Sequence, residues 1–127
     1  MERVHLIEPV DVEEMHNLMA RCYFVMTDSG GLQEEAPAMG KPVLVLRRET
    51  ERPEAVVAGT VKLAGVEHET VLRLATELLE NEAIYEQMAH AVNPYGDGNA
   101  CARIADAIEW HFGLREERPT DFDPATE

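Results

Sequence analysis

The sequence predicts an α/β domain built around a parallel β-sheet. Short apolar runs rich in β-branched residues alternate along the chain with longer amphipathic stretches of helical period. The central run, PVLVL, has no polar residue on either face, which is typical of a strand covered on both sides. Strands that alternate with helices pair in parallel through right-handed crossovers. We therefore expect a doubly wound sheet with flanking helices, in which ligands bind at the carboxyl ends of the strands.

Strands and helices are predicted in alternation over the first part of the chain. Residues 4–8 (VHLIE) are predicted as a short buried strand, followed by a helix of about ten residues. Asp11 can cap that helix, and Glu14 completes a capping-box pattern. Residues 23–27 (YFVMT) and 42–46 (PVLVL) are the next two predicted strands.

The remaining elements are predicted from helical spacing and from helix-ending signals. A helix between the YFVMT and PVLVL strands is expected to end near Met39, because Gly40 is a suitable helix stop. A short helix at 54–58 leads to a fourth strand at 60–64 (TVKLA). Three further helices are predicted, over residues 70–80, 82–91 and 99–112.

Composition indicates one globular domain and disfavours nucleic acid as a partner. Hydrophobic residues make up 45% of the 127 residues, which allows a modest core. We assign residues 1–112 to the domain and 113–127 to an acidic tail that we expect to be disordered. The net charge of −14 repels nucleic-acid phosphates. The only lysines are Lys41 and Lys62 against 25 acidic residues, which either suits a concentrated-salt cytoplasm or is ordinary acidic variation.

The chain is expected to be cytoplasmic, with no membrane partner. No apolar run approaches the roughly 20 residues that span a bilayer, and the amino terminus lacks signal-peptide architecture. Cys22 and Cys101 form no Cys-x-x-Cys pair, and we interpret both as small core residues, a disulfide being the alternative. The five histidines show no metal-ligand spacing, so no metal site is proposed.

A strand that ends in Thr27-Asp28-Ser29-Gly30-Gly31 and opens into a helix is an arrangement that can bind phosphate. Glycines let the backbone approach an anion closely, and the first helical N–H groups have no acceptor within the helix. The helix dipole favours negative charge at the same place. A plain N-cap and turn is the alternative interpretation of Ser-Gly-Gly.

Residues 27–65 closely resemble the UDP-binding segment of the non-hydrolysing UDP-N-acetylglucosamine 2-epimerases. The runs 27–42 and 50–54 (TERPE) carry the most specific part of this resemblance, which extends downstream to the loop at 93–98 (NPYGDG). It also extends upstream through VHLIEP and the helix containing His-Asn-Leu at 16–18. The resemblance implies part of the carboxy-terminal, UDP-holding domain of a two-domain fold of Rossmann-like domains, as in glycosyltransferase-B enzymes.

The resemblance also implies roles for individual residues. Ser29, Gly30 and Gly31 are expected to contact the diphosphate, and Glu35 to accept hydrogen bonds from the ribose hydroxyls. Glu35 lies one turn beyond Gly31 on the same helical face, about the distance from the phosphates that a nucleoside spans. Without the resemblance, Glu35 would be interpreted as a solvated carboxylate. For the loop at 93–98 the residues themselves favour a structural role, in which Asp97 or Asn99 caps the last helix.

Two more residues are placed in the site by the same resemblance. Arg52 corresponds to an arginine beside the nucleotide and the reacting sugar, where it can stabilise charge on departing UDP. Arg47 and Arg48, which lie close by in sequence, are expected to have surface roles. Met15 stands where the family usually places an aromatic residue against uracil, and a core role on its helix is the alternative.

The implied reaction is the interconversion of UDP-N-acetylglucosamine and UDP-N-acetylmannosamine by an isomerase that needs no cofactor. In the family, UDP is eliminated and then returned, and the acids and bases for the proton at C2 come from the amino-terminal domain. Nothing in this chain matches them, so we expect it to be too short for the whole enzyme and inactive by itself. The expected partners are UDP or a UDP-N-acetylhexosamine, and either the missing amino-terminal half or a second copy in a homodimer. The alternative is a stand-alone, non-catalytic module that binds a UDP-sugar or another subunit.

Overall fold

A computed structural model describes residues 3–123 of the chain. Nine elements follow one another in the order α1 (Val12–Arg21), β1 (Val25–Thr27), α2 (Gly30–Ala38), β2 (Val43–Val45), α3 (Pro53–Ala58), β3 (Val61–Leu63), α4 (His68–Glu80), α5 (Glu82–Ala89) and α6 (Ala100–His111). The predicted alternation of strands and helices is confirmed. Element ends differ from the predicted ones by a few residues, as at the start of α4 and the end of α5.

The sheet is parallel and has the strand order β1-β2-β3. Val25 pairs with Val43 and Thr27 with Val45, while Val43 pairs in turn with Val61. The predicted α/β class with a parallel sheet and flanking helices is therefore confirmed. The carboxyl ends of all three strands lie at the same edge of the sheet, so the loops that follow them gather there.

The core is formed by two apolar clusters on opposite faces of β2. Val43 and Val45 belong to one of them, with Met19 of α1 and Ala36 of α2, whereas Leu44 belongs to the other. That second cluster also contains the residues Ala64, Leu74, Leu78 and Met88. All three residues of β2 are fully buried, which confirms that this strand is covered on both sides.

The predicted helix signals at Asp11 and Gly40 are confirmed. The Asp11 carboxylate accepts a hydrogen bond from the backbone N–H of Glu14 at 2.9 Å and caps α1. Gly40 has a φ of 66°, a left-handed conformation that ends α2 and that a glycine adopts without strain. Asn99 is the N-cap residue of α6 by position, but its side chain makes no capping hydrogen bond; its backbone N–H donates to Asp97 at 2.9 Å.

The predicted strand at residues 4–8 is wrong. This segment forms no strand, and Leu6 is fully exposed. A short apolar run becomes a strand only where a neighbour accepts and donates its backbone hydrogen bonds, and β2 is the only strand that pairs with β1 in the described part of the chain. The apolar composition of residues 4–8 is therefore not sufficient to predict that they pair with another strand.

Cysteine burial corrects a second expectation. Cys22 is partly buried, and burial raises the pKa of its thiol, but Cys101 is exposed. Cys101 lies on α6, none of whose residues is buried, so its predicted core role is wrong. Both thiols are free rather than joined in a disulfide.

Residues 113–123 lie against α6 without regular secondary structure. The Arg115 guanidinium lies 2.5 Å from the Asp106 carboxylate, and that of Arg118 lies 6.0 Å from the centre of the Trp110 ring. The disorder expected for 113–127 stays a prediction, and its last residues, 124–127, lie outside the described residues. Within residues 3–123, no helix has the length and apolarity that crossing a membrane requires.

Candidate functional site

The candidate site is the turn between β1 and α2 (residues 28–31), together with the loop at 47–52 and the first half of α2. Thr27 ends β1 at the carboxyl edge of the sheet, and its buried hydroxyl accepts a hydrogen bond from the backbone N–H of Ser29 at 3.0 Å. Ser29 is the N-cap residue of α2, and its side chain makes no capping hydrogen bond. The Ser29 hydroxyl and the first N–H groups of α2 are therefore available to an anion.

The two glycines after Ser29 have different surroundings. A Cβ atom at Gly30 would lie 2.6 Å from Oε1 of Glu51, so the tip of the half-exposed Glu51 side chain lies against the backbone there and would have to move to admit a side chain. A Cβ atom at Gly31 would lie 3.7 Å from Oε1 of Glu35, which is ordinary contact. The predicted approach of a phosphate to these glycines stays a prediction.

A buried glutamine joins this turn to the 47–52 loop. Gln33 of α2 is fully buried, and its side-chain amide donates to the Ser29 carbonyl at 3.1 Å. The Thr50 hydroxyl donates to Oε1 of Gln33 at 2.6 Å and accepts from the backbone N–H of Arg52 at 3.0 Å. Gln33 was not among the predicted site residues, although its spacing from the buried Ala36 and Pro37 places it on the apolar stripe of α2.

The Arg52 side chain reaches back to α2. Its Nε donates to the Glu34 carboxylate, and this hydrogen bond raises the pKa of the guanidinium. Nη1 donates to the carbonyl of Glu51 at 3.5 Å. The structure therefore places Arg52 beside helix α2, which also carries Gly30 and Glu35, and its role toward a nucleotide stays a prediction.

Arg47 and Arg48 point to different places. Arg48 pairs with Glu67 at 2.8 Å, and both side chains are at least 70% exposed, which agrees with a surface role. Arg47 instead holds the Glu51 carboxylate at 2.8 Å, next to Gly30. The pKa of Glu51 lies below its usual range, chiefly because its own backbone N–H donates to the carboxylate and then because Arg47 is near. Arg47 and Glu51 thus form an ion pair close to the turn.

Glu35 and Met15 complete the predicted set. Oε2 of Glu35 lies 3.0 Å from Nε2 of His16 on α1, and both side chains are almost half exposed. Met15 is partly buried and packs against the core cluster that contains Val43 and Val45, as the alternative interpretation expected. An open cleft of about 490 Å³ beside Glu35 reaches toward α6 and is of the size that takes a small ligand.

Known proteins are similar to this chain in sequence and in fold. A family model described as UDP-N-acetylglucosamine 2-epimerase matches residues 1–109. The UDP-N-acetylglucosamine 2-epimerase of Bacillus subtilis (strain 168) is 54% identical over 121 residues, which cover 95% of this chain and 32% of that protein. The S. aureus MnaA–UDP co-structure has a TM-score of 0.89 at 51% identity and covers 97% of this chain and 34% of its own.

A third comparison comes from the UDP-GlcNAc 2-epimerase of Neisseria meningitidis bound to UDP-GlcNAc, with a TM-score of 0.79 and 52% identity. The match covers 82% of this chain and 28% of that one. The chain thus spans about a third of the length of the relatives that it matches, in their carboxy-terminal portion. Since the family model matches residues 1–109, which include the turn at residues 28–31, the chain belongs to the UDP-N-acetylglucosamine 2-epimerase family.

Proposed function

We propose that this chain is the UDP-binding part of a UDP-N-acetylglucosamine 2-epimerase, an isomerase that interconverts UDP-N-acetylglucosamine and UDP-N-acetylmannosamine. The observation that carries the proposal is the turn at residues 28–31, which presents the N-terminus of α2 at the carboxyl edge of the parallel sheet. Structures of relatives with UDP or UDP-GlcNAc bound share this fold at more than 50% identity and support the same ligand here.

The diphosphate is assigned to Ser29, Gly30 and Gly31. Backbone N–H groups at the start of a nine-residue helix point outward along its axis, and the dipole adds partial positive charge there. Arg47 and Arg52 bring guanidinium N–H donors into the same region from the 47–52 loop, where they pair with Glu51 and Glu34. A doubly charged phosphate group therefore meets local donors even on an acidic protein.

The nucleoside is assigned to Glu35 and Met15. Glu35 lies one helical turn from the phosphate position, and a carboxylate can accept hydrogen bonds from two adjacent ribose hydroxyls. Met15, on the neighbouring helix α1, offers a polarizable thioether to the uracil face while part of its side chain packs on the core. Arg52 is assigned the role of stabilising the negative charge that develops on UDP as UDP leaves C1 of the sugar.

The chain is proposed to act with a partner. The resemblance assigns the proton transfers at C2 to groups that this chain does not match, so we expect UDP binding without turnover from the chain by itself. Ile104 and Ile108 lie one turn apart on α6 and are both exposed, which supports contact with the amino-terminal half of the family fold or with a second copy. A cytoplasmic location is proposed from the amino-acid sequence.

Calorimetric titration of the full chain with UDP and with uridine tests the proposal. UDP should bind at least about tenfold more tightly than uridine, because only UDP brings charge to the turn. Gly30→Ala should remove most of that difference, since its Cβ would stand on the backbone face assigned to the phosphate, where Oε1 of Glu51 now lies 2.6 Å from the Cβ position. Ala58→Gly, on α3 away from the turn, serves as the matched control. Equal affinities for UDP and uridine in the folded wild-type chain would refute the proposal.

A further inference from the structure

Helix α1 supplies one side chain that contacts a residue of the proposed site. Nε2 of His16 lies 3.0 Å from Oε2 of Glu35, across the interface between α1 and α2. A carboxylate only accepts hydrogen bonds, so Nε2 carries the hydrogen and donates it. The adjacent Asn17 turns away and donates to the Glu13 carbonyl at 3.0 Å. His16 is thus placed at Glu35 by the same helix that packs Met15 and Met19 on the core.

The two oxygens of Glu35 face different neighbours. Oε2 is held by His16, whereas Oε1 lies on the side of Gly31, 3.7 Å from the position of a Cβ atom there. The carboxylate is therefore oriented with one oxygen on α1 and the other toward the turn that begins α2. A glutamate side chain without such a partner distributes over many rotamers and loses that freedom only when a ligand binds.

We propose that His16 is a positioning residue that holds the Glu35 carboxylate so that Oε1 accepts a hydrogen bond from a ribose hydroxyl of the nucleotide. The inference rests on the proposed UDP-binding function and names a residue that acts on the ligand only through Glu35. The side chains of His16 and Glu35 are 44% and 46% exposed, so water screens their charges and the pair adds little to folding. The pair instead raises the affinity for the nucleotide, because a Glu35 side chain that is already ordered loses less conformational entropy on binding.

Three chains and two nucleotides test this inference by titration calorimetry. His16→Leu removes the donor, whereas His16→Gln keeps an N–H group near the position of Nε2. UDP offers both ribose hydroxyls, and 2′,3′-dideoxyuridine diphosphate offers neither. We expect His16→Leu to weaken UDP about fivefold, His16→Gln to stay within about twofold of wild type, and all three to bind the dideoxy nucleotide equally.

A matched control removes a similar pair elsewhere. His90 lies 2.8 Å from Glu86 at the end of α5, beside the carboxyl end of α2 rather than its N-terminus, so His90→Leu should leave UDP affinity unchanged. If His16→Leu leaves UDP affinity unchanged, or lowers the affinities for both nucleotides by the same factor, the positioning role is refuted. The proposed binding of UDP is unaffected by that result. Failure of the wild-type chain to prefer UDP over uridine would instead refute the proposed function, and the inference with it.

Discussion

The hydrogen bonds of Gln33 give the sharpest test of how the site is held together. Gln33→Leu keeps the volume of the buried side chain nearly constant but removes the donor to the Ser29 carbonyl and the acceptor of the Thr50 hydroxyl. Thr50→Val removes the second of these bonds from the other side, together with the acceptor of the Arg52 N–H. Both changes act on the connection between the turn and the 47–52 loop.

The expected cost follows from counting these bonds. A typical intramolecular hydrogen bond contributes about 1 kcal/mol, so the loss of two lowers the free energy of unfolding of Gln33→Leu by about 2 kcal/mol. Thr50→Val also loses two bonds and should cost a similar amount. The Gln33–Thr50 bond is counted in both single variants, so the double variant should cost about 1 kcal/mol less than the sum. Burial of the leucine side chain offsets part of the loss in Gln33→Leu.

Urea unfolding of the four proteins of this cycle, followed by circular dichroism, measures these energies. Gln87→Leu on α5 is the matched control: its side chain is exposed, so the free energy of unfolding should change by less than about 0.5 kcal/mol. Strictly additive effects of Gln33→Leu and Thr50→Val would show that the bond between them contributes nothing. A Gln33→Leu variant as stable as wild type would refute the view that this amide fixes the turn.

Three further predictions concern charge. Arg52→Lys keeps the charge but loses the planar donor array, so UDP affinity should fall about tenfold by calorimetry, and an unchanged affinity would remove Arg52 from the site. Glu51→Gln removes a carboxylate beside Gly30 and should strengthen UDP binding about threefold at low salt, an effect that added salt should diminish. Arg103 donates to both oxygens of Asp97 and holds the pKa of that carboxyl far below its usual range, so the carboxylate stabilises the fold above about pH 4 and loses this effect as pH falls toward its folded pKa. The stability difference between wild type and Asp97→Asn should therefore shrink on acidification, and a pH-independent difference would contradict the assignment.

Helices and strands were predictable where the pattern of apolar residues within one segment determines which of its faces are buried. PVLVL is apolar on both faces, and β2 is buried on both, because the middle strand of a covered sheet leaves no face for water. The 4–8 segment carried a similar apolar signal but forms no strand, since pairing depends on a neighbour that is distant in sequence. The exposed position of Cys101 could not be foreseen either, because it depends on where α6 lies rather than on the residue type.

The part of the site that consists of backbone groups was predictable from the sequence. The turn at residues 28–31 follows from strand, serine, glycines and helix in that order, and its location at the carboxyl edge of the sheet follows from parallel topology. The partners of Arg52 and Glu35 were not predictable, because each salt bridge joins elements that are close only in the folded chain. Gln33 was missed for another reason: a polar residue in a helix suggests solvent unless the stripe on which it lies is examined.

Helix α2 explains why these contacts belong to one unit. Its residues 33–35 are consecutive, and successive side chains on a helix point about 100° apart. Gln33 therefore meets Thr50, Glu34 meets Arg52, and Glu35 meets His16, so the 47–52 loop and α1 are both fixed to the helix that carries the turn. Of the three side chains only Gln33 is fully buried, whereas the ion pairs of Glu34 and Glu35 are partly exposed and screened by water. It follows that loss of the glutamine should affect folding first, whereas loss of Glu35 or its partner should affect nucleotide affinity in a chain that remains folded.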